Sequence, residues 1–329
     1  MRKFFHPILL ILLIVPLISF AQEKTVLLIE SYHAEYPWDA SYKIGLQDVL
    51  SDQYPLVCFE MDTKRLPKSE HKKSAQMAWD KYTKVRPALV ILGDDNALKY
   101  LAPKFLETNT SVVYLGINRN PGDYGIPPKA NITGVLERPL LKRSVASLKT
   151  ILQPSPQKIL LLFDDGTTSQ SSVAEAFKGR TTLPVHGIMV QLRRIGKLDI
   201  WKKTVLDTKK QGFDAIVIGL YHTLTDKEGK HADAEELLKW TVQNTPVPPF
   251  AFWDFTVGPD KAIGGFVLFG KTQGEAAEKM AMKILSGTPP GKIRPRIPEM
   301  GRFLFSKSQL KKWGLSLPSD VAAKAAYTE

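Results

Sequence analysis

The sequence has 329 residues, 43% hydrophobic and 24% charged, with a formal net charge of +12 and one cysteine. That composition describes an ordinary globular chain and excludes the disordered, fibrous and disulfide-stapled classes. The positive charge does not indicate nucleic acid. Basic residues are scattered along helix-like stretches, as in Lys64-Arg65, Lys72-Lys73 and Lys202-Lys203, without an arginine-rich tail or zinc-finger spacing, and read as a solvated surface.

Residues 1–21 have the three parts of a secretory signal. Arg2 and Lys3 give the positive start, Ile8 to Ile18 is an apolar run interrupted by Pro16, and Ser19-Phe20-Ala21 offers small residues for cleavage before Gln22. No cysteine follows the cut, so the expected product is soluble, exported and free of a lipid anchor.

Strand-length apolar runs then alternate with helix-length amphipathic stretches. Strands are predicted at Thr25–Ile29, Leu56–Met61, Ala88–Leu92 and Ser111–Leu115, with helices at Ser41–Ser51, Ser69–Val85 and Asn96–Glu107. Cys58 lies in one of these strands and reads as a buried, inert thiol. The series restarts after the turn-prone Asn131-Ile132-Thr133-Gly134. Helices are predicted at Pro139–Leu152, Ser171–Lys178, Asp199–Lys210 and Asp233–Gln243. They alternate with strands at Lys158–Phe163, Pro184–Val190, Ala215–Gly219 and Phe250–Trp253. A strand at Ala262–Phe269, a helix at Gln273–Leu285, a proline-rich Pro289–Pro298, a strand at Arg302–Phe305 and a helix capped by Ser306 complete the chain. The strands are nearly continuous in Val, Ile and Leu, as expected when both faces are buried, so the fold class is α/β with two doubly wound parallel-sheet lobes.

Open α/β sheets bind ligands outside the carboxyl ends of their strands. Those positions carry Tyr32, His33 and Trp38 after the first strand, Asp94 and Asp95 after the third, and Asn118 after the fourth. In the second series they carry Asp164 and Asp165, Tyr221 and His222, and Trp253 and Asp254. Aromatic faces stack on rings or cations, while carboxylates orient hydroxyls or ammonium groups. One of the Asp94–Asp95 pair is expected to cap the following helix, leaving Asp95 as the ligand contact.

Catalytic patterns fail on inspection. Phe163-Asp164-Asp165-Gly166-Thr167 is like a phosphatase Asp-x-Asp motif, but Phe163 stands where the nucleophile belongs. There is no Gly-x-Ser-x-Gly, no His-Glu-x-x-His and no phosphate-binding loop ending in Lys-Ser/Thr. The six histidines show no metal-ligand spacing, and His71 and His231 fall in charged segments that read as solvated. No enzyme, metal or cofactor is expected.

Four segments carry a family resemblance. They are Asn131-Ile132-Thr133-Gly134-Val135, Lys158-Ile159-Leu160-Leu161-Leu162, the helix from Gly274 to Ala281 with Ile284-Leu285-Ser286-Gly287, and Leu310 to Pro318. The mature chain resembles the substrate-binding proteins of ABC transporters, of the class I periplasmic-binding-protein fold, whose best-known members bind aromatic amino acids. The resemblance implies a first lobe at 22–134 and a second at 135–270. A helix at 271–288 would return to the first lobe, and a tail at 289–329 would cross back. It further implies a periplasmic monomer that closes on a small solute, with hinges near Gly134, Gly270 and Pro289, and that serves an ABC permease. Gly93-Asp94-Asp95 departs from the Ser/Asn/Thr-type positions that take a carboxylate in amino-acid-binding members. That departure favours a polyhydroxylated, cationic or aromatic-amine solute. Presentation of the ligand to a membrane sensor kinase, and an exported hydrolase on a related scaffold, are the alternatives.

Overall fold

The computed structural model describes residues 24–298 and 301–329, so the predicted secretory signal lies outside the described residues. The first lobe is built from β1 (Val26–Glu30), α1 (Pro37–Gln53), β2 (Leu56–Glu60), α2 (His71–Val85), β3 (Leu89–Gly93), α3 (Asp94–Leu106), β4 (Ser111–Ile117) and β5 (Ile132–Leu136). Its five strands are all parallel, in the order β2-β1-β3-β4-β5. Every residue of β1 and β3 is buried, because helices cover both faces of the sheet.

The chain crosses at 137–140 into α4 (Leu141–Ile151), then β6 (Lys158–Asp164), α5 (Thr167–Phe177), β7 (Thr182–Val185), β8 (Ile188–Ile195), α6 (Leu198–Leu206), β9 (Ala215–Ile218), α7 (Ala234–Asn244) and β10 (Pro249–Ala251). This second sheet runs β10-β9-β6-β8-β7, parallel except for β7. A small third sheet, β11 (Gly264–Val267) with β12 (Arg302–Phe305) and β13 (Ala326–Tyr327), packs beside it through β10. Three helices complete the fold: α8 (Gly270–Leu285), α9 (Lys307–Lys312) and α10 (Ser319–Ala322).

Helix α8 leaves the second lobe and packs against α1, β4 and β5 of the first. Two glycines make this possible. A Cβ on Gly274 would fall 2.0 Å from the Tyr42 carbonyl oxygen, and one on Gly45 would fall 2.2 Å from that of Lys271. The helices therefore meet backbone to backbone, and Lys271 N donates to Ser41 Oγ at 2.9 Å.

Several expectations need correction. Helices α1 and α5 begin four residues earlier than predicted and α3 two residues earlier, α3 directly at its strand end. Pro37 at the first helical position presets φ for α1. Trp38 is thereby drawn into the core at 2% exposure. Neither Asp94 nor Asp95 caps α3, whose N-cap is Gly93 without a side-chain cap bond. The single strand predicted at Pro184–Val190 is an antiparallel hairpin of β7 and β8, turned at His186 and Gly187 with φ of 51° and 87°. Two successive positive φ values are the signature of the tight turn that matches strand twist. Cys58 is exposed, since β2 is an edge strand, although its partly desolvated thiol is pushed up to about 11 and stays protonated. The tail crosses later than Pro289: Arg296 still pairs with Val135, and Thr133 Oγ1 still donates to Ile293 O at 2.7 Å.

Candidate functional site

The carboxyl ends of the two sheets face each other, and the lobes touch there. Tyr32, one residue beyond Ser31 at the end of β1, shares a 2.5 Å hydrogen bond between its hydroxyl and Thr168 Oγ1 in the first turn of α5. Ser172 Oγ, one turn further along α5, donates to Asn118 Oδ1 at 2.9 Å. Trp253 Nε1, just past β10, donates at 2.8 Å to Oε1 of Glu137 in the first crossing segment. Asn118 Nδ2 donates to the other carboxylate oxygen of Glu137 at 3.0 Å. Arg138 fastens the same crossing: its Nη1 donates to the carbonyls of Ile117, Asn118 and Glu137, and its Nε lies 3.4 Å from Glu175 on α5.

Behind the Tyr32–Thr168 contact lies a cavity of about 10 Å³, room for roughly one water molecule. Its wall combines Tyr32, Tyr36, Trp38, Asp94 and Glu137 with Thr168, Leu220, Trp253 and Phe255, so both lobes contribute. Two of its buried polar atoms, Asp94 Oδ2 and Trp38 Nε1, have no hydrogen-bond partner among the described residues. Asp94 also holds a φ of 65°, an uncommon backbone state for a residue other than glycine. Burial, followed by the nearby carboxylates of Asp39, Glu137 and Asp95, holds the Asp94 acid well above the usual carboxylate range. Burial likewise lifts Glu137 to about 7, opposed by the donors from Trp253 and Asn118.

Asp95 behaves differently from its neighbour. Its carboxylate accepts from Asn118 N at 3.0 Å, Arg119 N at 3.1 Å and Tyr124 Oη at 2.7 Å. Asp164 is equally engaged: Oδ1 accepts from Gly166 N and Ser169 Oγ, and Oδ2 from Thr223 N. Asp165 is exposed on the rim. Asp254 accepts from Phe255 N at 2.9 Å, lies outside the cavity wall and is raised by burial to about 6.

Two larger hollows open from the same seam. One, about 430 Å³, lies between the 63–71 segment of the first lobe and the strand ends of β6 and β8, with Thr223 and Thr225, in the second. The other, about 740 Å³, lies beside His33, Tyr36 and His222. His222 is stacked on Tyr221 at 4.2 Å and meets the edge of Tyr36 at 4.8 Å. Burial, then Lys64, pushes its imidazole well below the usual histidine range, so it is neutral. His33 Nδ1 is 2.9 Å from Glu35 Oε2.

The model of the family described as ABC transporter substrate binding protein matches residues 123–329, more than half of the sequence. The chain belongs to this family. No curated protein matches it. Solved structures share the fold of this ABC substrate-binding chain at low identity. The ABC domain from Streptococcus pneumonia in complex with L-Trp has a TM-score of 0.68 at 17% identity, covering 92% of this chain and 99% of that one. A conserved domain protein from Vibrio cholerae gives 0.69 at 15%, covering 94% and 100%. The ligand-free, open form of a substrate-binding protein with adhesive properties from Clostridium difficile gives 0.61 at 14%, covering 93% and 100%. The fold is that of the class I periplasmic binding proteins, as the alternating strands and helices indicate.

Three residues at this seam of the substrate-binding chain are not singled out by the sequence. Glu137 sits in an unremarkable segment, Thr168 follows the flagged Asp164-Asp165 strand end without being chosen itself, and Lys64 belongs to a Lys-Arg pair read as solvated. Lys64 is only 5% exposed. Its ammonium lies over the rings of Tyr32 and Tyr36, at 4.2 and 4.5 Å from their centroids. His71 is buried as well, with Nε2 3.2 Å from Leu66 O.

Proposed function

We propose that the chain is an exported binding protein that traps a small polar or aromatic solute between its lobes and hands it to an ABC permease. The observation that carries this reading is the wall shared by both lobes, in which Asp94 Oδ2 and Trp38 Nε1 are buried and unpartnered. A buried polar atom without a partner costs about 1–3 kcal/mol, and a solute donor and acceptor would remove that cost. The rings of Tyr32, Tyr36, Trp253 and Phe255 favour a flat or apolar body, and the L-Trp complex of a structural neighbour points the same way. Asp94, crowded by Asp39 and Glu137, disfavours a carboxylate in the inner cavity and favours a hydroxyl or ammonium there.

Periplasmic export through the 1–21 signal, action as a monomer and the absence of any nucleic-acid role belong to the same proposal. The lobes would pivot at 137–140 and near Gly270. A thermal-shift screen of sugars, amines, nucleosides and amino acids tests it. A binding protein gains about 2.7 kcal/mol at a hundredfold excess over Kd. Uptake of the same solute into vesicles carrying the permease tests delivery. Stabilisation by no solute in the screen would contradict the reading.

A further inference from the structure

The solute-binding reading leaves one buried charge without a role. Lys64 is nearly inaccessible, yet among the described residues no carboxylate lies within salt-bridge distance of its ammonium. Its close contacts are two tyrosine faces, and burial pushes it below the usual lysine range. It borders the 430 Å³ hollow, which is the right size for a small organic ligand.

The rest of that hollow is mixed in charge but net positive. Lys68 of the first lobe and Arg194 and Lys197 of the second stand on its wall. The N-terminus of the eleven-residue α5 opens into it, with Gly166, Thr167 and Thr168 on the wall; Gly166 N is taken by Asp164 Oδ1, and the positive end of the helix favours an anion beside it. Thr223 Oγ1 is buried there without a partner. The two acids on the wall, Asp164 and Asp165, lie beyond salt-bridge distance of the Lys64 ammonium. Asp164 accepts from three donors of its own lobe and favours the Lys64 ammonium only from beyond salt-bridge distance, and Asp165 is exposed.

We propose that Lys64, with the N-terminus of α5 across the cleft, receives an anionic group of the solute, a carboxylate or a phosphate. This rests on the solute-binding reading and narrows it. The solute's anion lies in the outer hollow, separated from Asp94 by the Tyr32–Thr168 contact, and its apolar body lies against the tyrosines. A cation held over tyrosine faces is poorly hydrated and already oriented, so an arriving anion forms a charge-assisted hydrogen bond at little desolvation cost.

The test uses four probes with one ring and different charge: phenylacetate, phenyl phosphate, phenylacetamide and phenethylamine. At millimolar concentration, at least one of the two anions should stabilise the mature protein, and the better of them tells carboxylate from phosphate. Phenylacetamide and phenethylamine should bind at least about tenfold more weakly. Lys64→Gln should weaken the preferred anion roughly ten- to a hundredfold, while Lys64→Arg keeps most of the affinity. Lys73→Gln, exposed on α2 and outside the hollow, should cost no more than about threefold. The comparison of acid with amide stands even if Lys64→Gln fails to fold. Binding of phenethylamine or phenylacetamide as tight as that of the anions would overturn the anion assignment and leave solute trapping intact. Failure of both anions to bind would overturn it too. Failure of every probe, and of every solute in the wider screen, would remove the solute-binding reading itself.

Discussion

Trp253 Nε1 and Glu137 Oε1 are 2.8 Å apart, so a strand end of the second lobe is hydrogen-bonded to the segment that crosses between the lobes. Trp253 is legible as a strand-end aromatic. Glu137 becomes visible only when the crossing segment folds beneath it.

This pair makes stability depend on pH. The Glu137 acid rises on folding from 4.5 to about 7, chiefly through burial. A raised acid stabilises the folded form fully below the unfolded value, and that contribution is lost as pH rises through the folded value. Between pH 4.5 and about 7, wild type should therefore lose stability relative to Glu137→Gln, by on the order of 2–3 kcal/mol. His222, held neutral by burial, acts in the opposite sense, so the difference between the two proteins is the readout. Chemical denaturation of both at several pH values checks this. Parallel profiles would show that Glu137 does not titrate in this window.

Asp94 and Asp95 should separate cleanly. Asp94→Asn replaces an acid that burial and neighbouring carboxylates hold toward its neutral form, and asparagine tolerates the left-handed backbone at that position. We expect an unchanged or higher Tm without solute at neutral pH, and affinity roughly ten- to a hundredfold weaker for a solute whose donor meets Asp94. Asp95→Asn puts an amide opposite donors from Asn118, Arg119 and Tyr124, and should cost about 1–3 kcal/mol of stability. Melting curves and calorimetry of both variants decide it. The reverse assignment would make Asp95 the ligand contact.

How much of this was legible follows from what local pattern encodes. Buried parallel strands announce themselves as Val/Ile/Leu runs, so both lobes and the strand-end positions of Tyr32, Asp94 and Asn118 were within reach. Lys64 was not, because its burial depends on Tyr32 and Tyr36 lying against it, and nothing in Lys64-Arg65 distinguishes it from the solvated pairs elsewhere. The β7–β8 hairpin had one signal, the His186-Gly187 dipeptide in turn position, which a continuous apolar reading passes over.

The lobes should open more easily once their contact is weakened. Tyr32→Phe or Thr168→Val removes the 2.5 Å bond between them. One hydrogen bond is worth about 0.5–1.5 kcal/mol net, so the closed-to-open ratio should fall by roughly two- to tenfold. Small-angle scattering without solute should then report a larger radius of gyration than wild type. An identical radius in both variants would show that this contact does not hold the lobes.

Trp38 is a core residue as well as part of the cavity wall. Trp38→Ala should destabilise the fold by about 3–5 kcal/mol. Trp38→Phe keeps most of the volume and removes Nε1, so it should fold and lose affinity for a solute that accepts from that nitrogen. Denaturant titration with calorimetry separates the two effects. A stable Trp38→Ala protein would contradict the packing described.

The most direct test is calorimetric titration of the solute found by thermal shift into wild type, Asp94→Asn and Phe255→Ala, one variant in each lobe. If the solute is held between the lobes, one molecule binds per chain and both variants weaken it by at least about tenfold. Wild-type affinity in either variant would place the solute on a single lobe and contradict the account.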